Sequence, residues 1–380
     1  MLQNIHMQGL YIHIPFCTNR CIYCNFYSTT NQQLQQQYID SICKELQLRA
    51  KEAQHISTIY IGGGTPSILT FEQLNQLFTT IENLWGKEWT EVTLECNPDD
   101  LTFTFIEKLT TLPVNRISMG VQTFDNNLLQ FLHRRHTAQQ AIDAIEMLHE
   151  AKLHNISLDL IFGLPNQTLK LWDNDINQAL QCNVPHISAY SLMYEEGTSL
   201  TKMRNSGKIH EINDELSQSM YALLCQKLKT AGYEHYEISN FCKPHHRSQH
   251  NSSYWHEIPY IGIGAAAHSY DGRHRKWNIA NITQYMIAIA HKQLPQTIEN
   301  LDIYTRYNDL ITTALRTQEG IDLNQLTLQY GQKLVNYIKQ EAQEHLKNGN
   351  LIIKNNHLSI SDQGLFISDE IMSDLIYLKA

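Results

Sequence analysis

Short runs of apolar and β-branched residues alternate with helical patterns over the first 240 residues. Leu10–Ile14, Thr58–Ile61, Glu91–Glu95, Arg116–Met119, Ile156–Ile161 and Ile187–Leu192 read as strands. Between and after them, Leu34–Ala53, Phe71–Leu84, Phe103–Leu112, Ala138–Ala151, Leu169–Ala179 and Asp214–Ala231 predict helices; in the fourth, Ala141, Ile142, Ile145 and Leu148 recur at helical spacing. Repeated βα units imply an α/β protein with a parallel sheet and right-handed crossovers. Six such units predict a complete or partial barrel. The Gln-rich stretch Gln32–Gln37 reads as the solvated start of a helix.

From Gly232 to Asn300 the pattern is less regular and rich in His, Tyr and Gly. A helical region follows, then Leu351–Ile353 and His357–Ile360 around Asn355-Asn356, which reads as a hairpin. Helices followed by a small hairpin predict a winged-helix-like C-terminal domain. Such modules often bind DNA, but Asp302–Ala380 carries seven Lys/Arg against ten Asp/Glu. Packing or partner docking is the better reading.

Charge and composition narrow the class. The 380 residues are 42% hydrophobic and 18% charged with a formal charge of -9, which argues against a nucleic-acid footprint. No window approaches the roughly 18 to 20 apolar residues of a membrane span, leaving at most peripheral membrane contact. Met1 to Gly9 lacks a basic flank and an apolar core, so a cytoplasmic location is expected. Eight cysteines without an export signal argue against disulfides. Cys43, Cys96, Cys182, Cys225 and Cys242 are scattered and read as inert small residues.

The other three cluster. Tyr11-Ile-His-Ile-Pro-Phe-Cys17-Thr-Asn-Arg-Cys21-Ile-Tyr-Cys24 places three thiols on one loop after the first strand, which Pro15 ends. Thiolates suit iron–sulfur clusters or zinc. A structural zinc wants four ligands, so that alternative needs a distant Cys or His. A cubane on three thiolates keeps its fourth iron open. Gly62-Gly63-Gly64-Thr65-Pro66 follows the second strand, where glycines let backbone approach a ligand. Glu95, Gln122, Arg134 and Asp159 fall at or near later strand ends. Taken singly, each serves structure as readily as function.

Together these motifs resemble the oxygen-independent coproporphyrinogen oxidase-like family of radical S-adenosylmethionine proteins, from about Leu10 to Leu378. The resemblance implies a partial (βα)6 radical S-adenosylmethionine barrel with a C-terminal helical, winged-helix-like domain. It implies a [4Fe-4S] cluster on Cys17, Cys21 and Cys24, with S-adenosylmethionine chelating the open iron and cleaved by an electron to a deoxyadenosyl radical. In that family Gly63, Gly64 and Thr65 would lie at the methionine amino group and Gln122 and Asp159 at the ribose hydroxyls. Arg134 would meet the carboxylate, Glu95 would complete the shell, and Tyr11 and Tyr23 would flank the cofactor.

Two departures separate the chain from the oxidase branch. Oxidases of this family carry a further cysteine two residues after the third ligand, and here that position is Phe26. They also have an N-terminal extension, whereas Tyr11 lies almost at the start. Both features resemble the haem chaperone branch, as does His250-Asn-Ser-Ser-Tyr254-Trp255, which matches an HNxxYW motif proposed to hold haem. Imidazole ligates haem iron and aromatic rings pack on porphyrins, so His250 is the expected iron ligand. Haem and haem-requiring acceptor proteins, respiratory ones included, are then the implied partners, with homodimerisation open. No residue is assigned a catalytic role, and decarboxylation of coproporphyrinogen III propionates remains the alternative. The expected division is a core barrel over 1–235, a connecting region with the motif over 236–300, and the winged-helix-like domain over 301–380.

Overall fold

The computed structural model describes residues 8–378, so the reading of Met1 to Gly9 as leaderless falls largely outside it. Six parallel strands form the centre: β1 (Gln8–Ile14), β2 (Ile56–Gly63), β3 (Glu91–Cys96), β4 (Arg116–Gln122), β5 (Ile156–Phe162) and β6 (His186–Ser191). Each overlaps a run read from the sequence. The intervening helices are α1 (Gln35–Leu48), α2 (Phe71–Trp85), α3 (Phe103–Leu109), α4 (Asn126–Phe131), α5 (Ala138–Glu150), α6 (Leu169–Gln181), α7 (Ser199–Asn205) and α8 (Asp214–Thr230). Periodicity missed α4 and α7, which are too short for a helical repeat to show.

Successive strand residues point to opposite faces. One face presents Ile59, Ile61, Val92, Leu94, Ile117, Met119, Leu158, Leu160 and Ile187, which form the main core with the buried residues of the helices. The other face is polar: Tyr60, Thr93, Glu95, Arg116, Ser118, Ser157, Asp159, His186 and Ser188 alternate with that apolar set. The core therefore lies between sheet and helices, and the inner face is free to carry chemistry.

The region expected to be irregular is regular instead. It supplies β7 (Glu234–Glu237), β8 (Asn240–Cys242), α9 (Gln249–Trp255), β9 (Tyr260–Ile263), β10 (His268–Tyr270), β11 (His274–Asn278), α10 (Ile282–Ala290) and β12 (Gln296–Asn300). These extend the sheet at both ends, in the order β12-β11-β10-β9-β1-β2-β3-β4-β5-β6-β8-β7. Strands of three to five residues are too short for alternation to stand out. The chain passes from β8 at one end to β9 at the other through α9.

A second core gathers Tyr307, Ile311, Leu326, Leu334, Ile338, Leu351, Leu358 and Ile371. Its elements are α11 (Ile303–Ala314), β13 (Ile321–Asp322), α12 (Leu323–Glu341), α13 (Gln343–Lys347), the hairpin β14 (Leu351–Lys354) and β15 (His357–Ile360), and α14 (Ser368–Asp374). Gly331, at φ 80° and ψ 168°, breaks α12 in two. Asn355 and Asn356 take φ of 51° and 63°, as a two-residue primed turn requires. Helix, strand, two helices and hairpin are the winged-helix order. The Ile238 N–H donates to the Arg316 carbonyl at 3.0 Å and the Gln318 N–H to the Tyr236 carbonyl at 3.1 Å, tying this unit to β7 and its turn.

One buried ionic network locks the first helix to the sheet extension. The Glu45 and Arg49 side chains are fully buried and 3.2 Å apart. Glu45 also accepts from the Gly264 N–H at 2.9 Å, Tyr285 Oη at 2.6 Å and Asn278 Nδ2 at 2.8 Å. Arg49 Nη1 donates to the Gly262 carbonyl at 2.7 Å.

Candidate functional site at the strand ends

The cysteine loop leaves the C-terminal end of β1 and is held at its base. The Cys17 N–H donates to the Thr29 carbonyl at 2.9 Å, and the Thr29 N–H donates to the Pro15 carbonyl at 2.7 Å. Its middle is pinned by Ile22, buried with Leu128, Leu132 and Leu200. The glycine run fixes the strand that feeds it: the Gly64 N–H donates to the Ile14 carbonyl and the Thr65 N–H to the Phe16 carbonyl, both at 2.8 Å. A Cβ on Gly64 would stand 2.7 Å from the Phe16 carbonyl oxygen, so only glycine fits there.

Cys17 is buried, Cys21 and Cys24 are half-buried, and all three are free thiols. Burial pushes the Cys17 and Cys24 thiols up, and neighbouring thiolates add to the shift. A cationic centre is what would let three such thiolates coexist. Among the described residues, no three His, Cys, Asp or Glu side chains converge as a single ion requires.

The residues at the later strand ends face the same region. Glu95 accepts from Tyr60 Oη at 2.7 Å and from the Gly63 N–H at 2.9 Å, so the glycine run also positions this carboxylate. Burial raises its pKa. Arg134 donates from Nη2 to Asn97 Oδ1 at 2.7 Å and from Nη1 to Cys21 Sγ at 3.5 Å. Its Nε is buried without a partner, a donor left for a ligand. Tyr23 lies by Cys21 and Arg134, and burial raises its phenol. Tyr11 meets His13 Nδ1 at 2.9 Å, and its ring is 6.2 Å from Tyr60. Gln122 ends β4 beside an irregular register step, at φ 70°. Asp159 accepts from Ser118 Oγ at 3.1 Å.

Burial, with the charge of Glu95 second, pushes the Asp159 carboxyl up to about 7. Between about pH 4 and pH 7 the unfolded chain sheds this proton and the folded chain keeps it, so stability falls as pH rises. Asp159→Asn in the cofactor-free protein is expected to flatten the fall. Urea midpoints across that window measure it, and an unchanged slope would contradict the buried placement.

Sequence reasoning missed Tyr60, Asn97, Ser118 and Arg116. Period-two alternation of polar residues along β2 to β5 was the signal that could have found the inner-face members. Arg116 is buried, with Nε and Nη1 unpaired, and its charge reaches Glu95, Asp159, His186 and His250.

His250 meets this group through Tyr60. It starts α9 at the opposite, N-terminal side of the strands, 1% exposed, with its ring stacked on Tyr60 at 5.3 Å. Nδ1 bonds Thr58 Oγ1 at 2.9 Å and Nε2 bonds Tyr254 Oη at 2.8 Å. The Gln249 and His250 N–H groups donate to the Glu91 carboxylate at 2.8 and 2.9 Å. Burial, then the Arg116 charge, lowers its pKa to about 3. Both ring nitrogens thus face hydroxyl groups, and iron ligation by His250 would require one of these contacts to give way. Within the HNxxYW segment His250 is buried under the inner face, and Asn251 to Trp255 are half-buried.

A parallel-strand half barrel with three loop thiols beneath a glycine run defines a radical S-adenosylmethionine protein. The profile of the radical SAM superfamily matches residues 11–179, and that of the HemN C-terminal domain matches residues 304–367. Over 372 residues the chain is 34% identical to the heme chaperone HemW of Bacillus subtilis, covering 96% of this chain and 98% of that one. It is 38% identical to the Lactococcus lactis heme chaperone HemW over 82% of each chain. The chain belongs to the heme chaperone HemW family. Its fold matches the radical SAM coproporphyrinogen III oxidase HemN from Escherichia coli with a TM-score of 0.84 at 19% identity, covering 98% of this chain and 90% of that one. Among the described residues no helix is long and apolar enough to cross a membrane.

Proposed function

We propose that this chain binds haem and delivers it to haem-requiring proteins, respiratory ones included. Its support is end-to-end likeness to relatives named heme chaperones, covering 96% of this chain and 98% of the Bacillus protein. At the position where the oxidase branch carries its extra cysteine stands Phe26, 63% exposed and without a donor atom for a ligand.

The cofactor site fits this reading as the resemblance implied. Cys17, Cys21 and Cys24 would hold the [4Fe-4S] cluster. The free Nε of Arg134 would meet the cofactor carboxylate, and the Gly63-Gly64-Thr65 run with Glu95 would receive the amino group. Asp159 and Gln122 would hold the ribose hydroxyls, with Tyr11 and Tyr23 alongside. When bound, the cluster supplies an electron that can cleave the sulfonium compound. Through its contact with Cys21, the Arg134 guanidinium would orient both the cofactor carboxylate and the cysteine loop.

Anaerobically reconstituted protein is expected to titrate with haem and to leave coproporphyrinogen unchanged in the presence of reductant and S-adenosylmethionine. Appearance of protoporphyrinogen would overturn the chaperone reading in favour of the oxidase.

A further inference from the structure

The floor of the half barrel holds a cation that the chain leaves unmatched. Arg116 opens β4 on the inner face, level with Thr93 of β3, and is 2% exposed. Among the described residues no hydrogen bond or ion pair reaches its guanidinium, and Nε and Nη1 are closed off from solvent as well. Arg49, equally buried, is by contrast bonded to Glu45, Glu52 and the Gly262 carbonyl. A guanidinium cannot escape by shedding its proton, and a buried charge without partners is costly.

Carboxylates are at hand, yet each is turned elsewhere. Glu91 accepts from the Gln249 and His250 N–H groups, Glu95 from Tyr60 and the Gly63 N–H, and Asp159 from Ser118. Glu95 and Asp159 feel the Arg116 charge without touching it. The imidazoles on the same floor are engaged too: His186 lies between Ser157 Oγ at 2.7 Å and Tyr236 Oη at 2.8 Å, and His250 between Thr58 and Tyr254. Burial first, then the Arg116 charge, lowers the pKa of both, so neither competes as a cation. Exposure grows from Arg116 and Ser118 to half-buried Glu95 and Asp159 and to Tyr190, 41% exposed on β6. The floor therefore opens toward the strand ends.

We infer that Arg116 is the receptor for one carboxylate of a ligand seated against the inner face. Its planar fork matches a carboxylate in two parallel hydrogen bonds, and the buried floor would make that pairing strong. The acid has two sources: a haem propionate, which rests on the haem-chaperone reading above, or a free small carboxylic acid. His250 borders the same floor through the Tyr60 ring, so haem handled at the HNxxYW segment has Arg116 in the neighbourhood of its propionates. A ligand that lacks the acid leaves the guanidinium unpaired, so the site discriminates against it.

The test titrates haem and haem dimethyl ester, whose acids are masked, into cluster-loaded wild type and Arg116→Gln, following the Soret band. Urea midpoints of both proteins are measured in sodium propionate against sodium chloride at equal ionic strength. Wild type is expected to bind haem roughly 10- to 100-fold more tightly than the ester. Arg116→Gln is expected to bind the two alike, and the ester as tightly as wild type does. A midpoint raised by propionate in wild type but not in Arg116→Gln, without preference for haem over ester, assigns the site to a free small acid. Should Arg116→Gln not fold, Arg116→Lys keeps the charge and loses the fork; it is expected to narrow the preference, and an unchanged preference overturns the inference. A preference that survives Arg116→Gln also overturns it, as does haem bound without preference and no propionate effect; in both cases the haem-chaperone reading stands. If wild type binds no haem while propionate still raises its midpoint, that reading falls and the carboxylate site stands. If neither ligand acts, both fall.

Discussion

Alanine in place of Cys17, Cys21 or Cys24 is expected to abolish the cluster's visible absorption and its iron content after anaerobic reconstitution. Each thiolate would be the sole protein ligand of one iron, so its loss would leave that iron without a protein donor. The fold is expected to survive the change. The loop is anchored by the Cys17 and Thr29 backbone bonds and by Ile22 in its apolar nest, none of which needs a sulfur atom. Unchanged far-ultraviolet circular dichroism with lost colour is thus the specific signature. Full retention of iron in any one variant would refute the ligand set.

Arg49→Met is expected to produce the largest loss of stability. Glu45 and Arg49 are an ion pair with no exposed side-chain surface. Replacing the pair together by apolar groups is often tolerated, but removing one partner strands the other charge, at about 3 to 5 kcal/mol. Glu45 keeps Tyr285, Asn278 and the Gly264 N–H as partners, all neutral. Because it joins α1 to the segments around β9 and α10, the loss should appear in the main urea transition rather than as local fraying. A change below ~1 kcal/mol would show that water reaches the carboxylate.

The two predictions draw on different layers of the sequence. The cysteine loop and the glycine run are contiguous, and spacing alone announces them. Strands β1 to β6 were legible because their outward residues are Ile, Leu, Val and Met against the helices. Arg134 is another matter, since its contact with Cys21 joins positions 113 residues apart and exists only once β4 and α4 are placed. The burial of His250 in α9 was hidden for the same reason. The motif marks His250 in the sequence, but its burial depends on Glu91 and Thr58, from strands far earlier in the chain. The inner-face residues were readable in principle, because they alternate strictly with the apolar set. The strong apolar content of the helix-facing side masks that alternation.

The backbone bonds between residues 236–238 and 316–318 bear on how the molecule comes apart. A terminal strand normally offers its amides and carbonyls to any passing extended chain. Here a segment from the second core occupies part of that rim, reinforced by the buried Glu237 carboxylate, which accepts from Arg316 Nε at 2.7 Å. The two cores are thereby stitched by main chain as well as by side chains, and melting either one is expected to fray the other. Their cooperativity is written into a three-residue ladder.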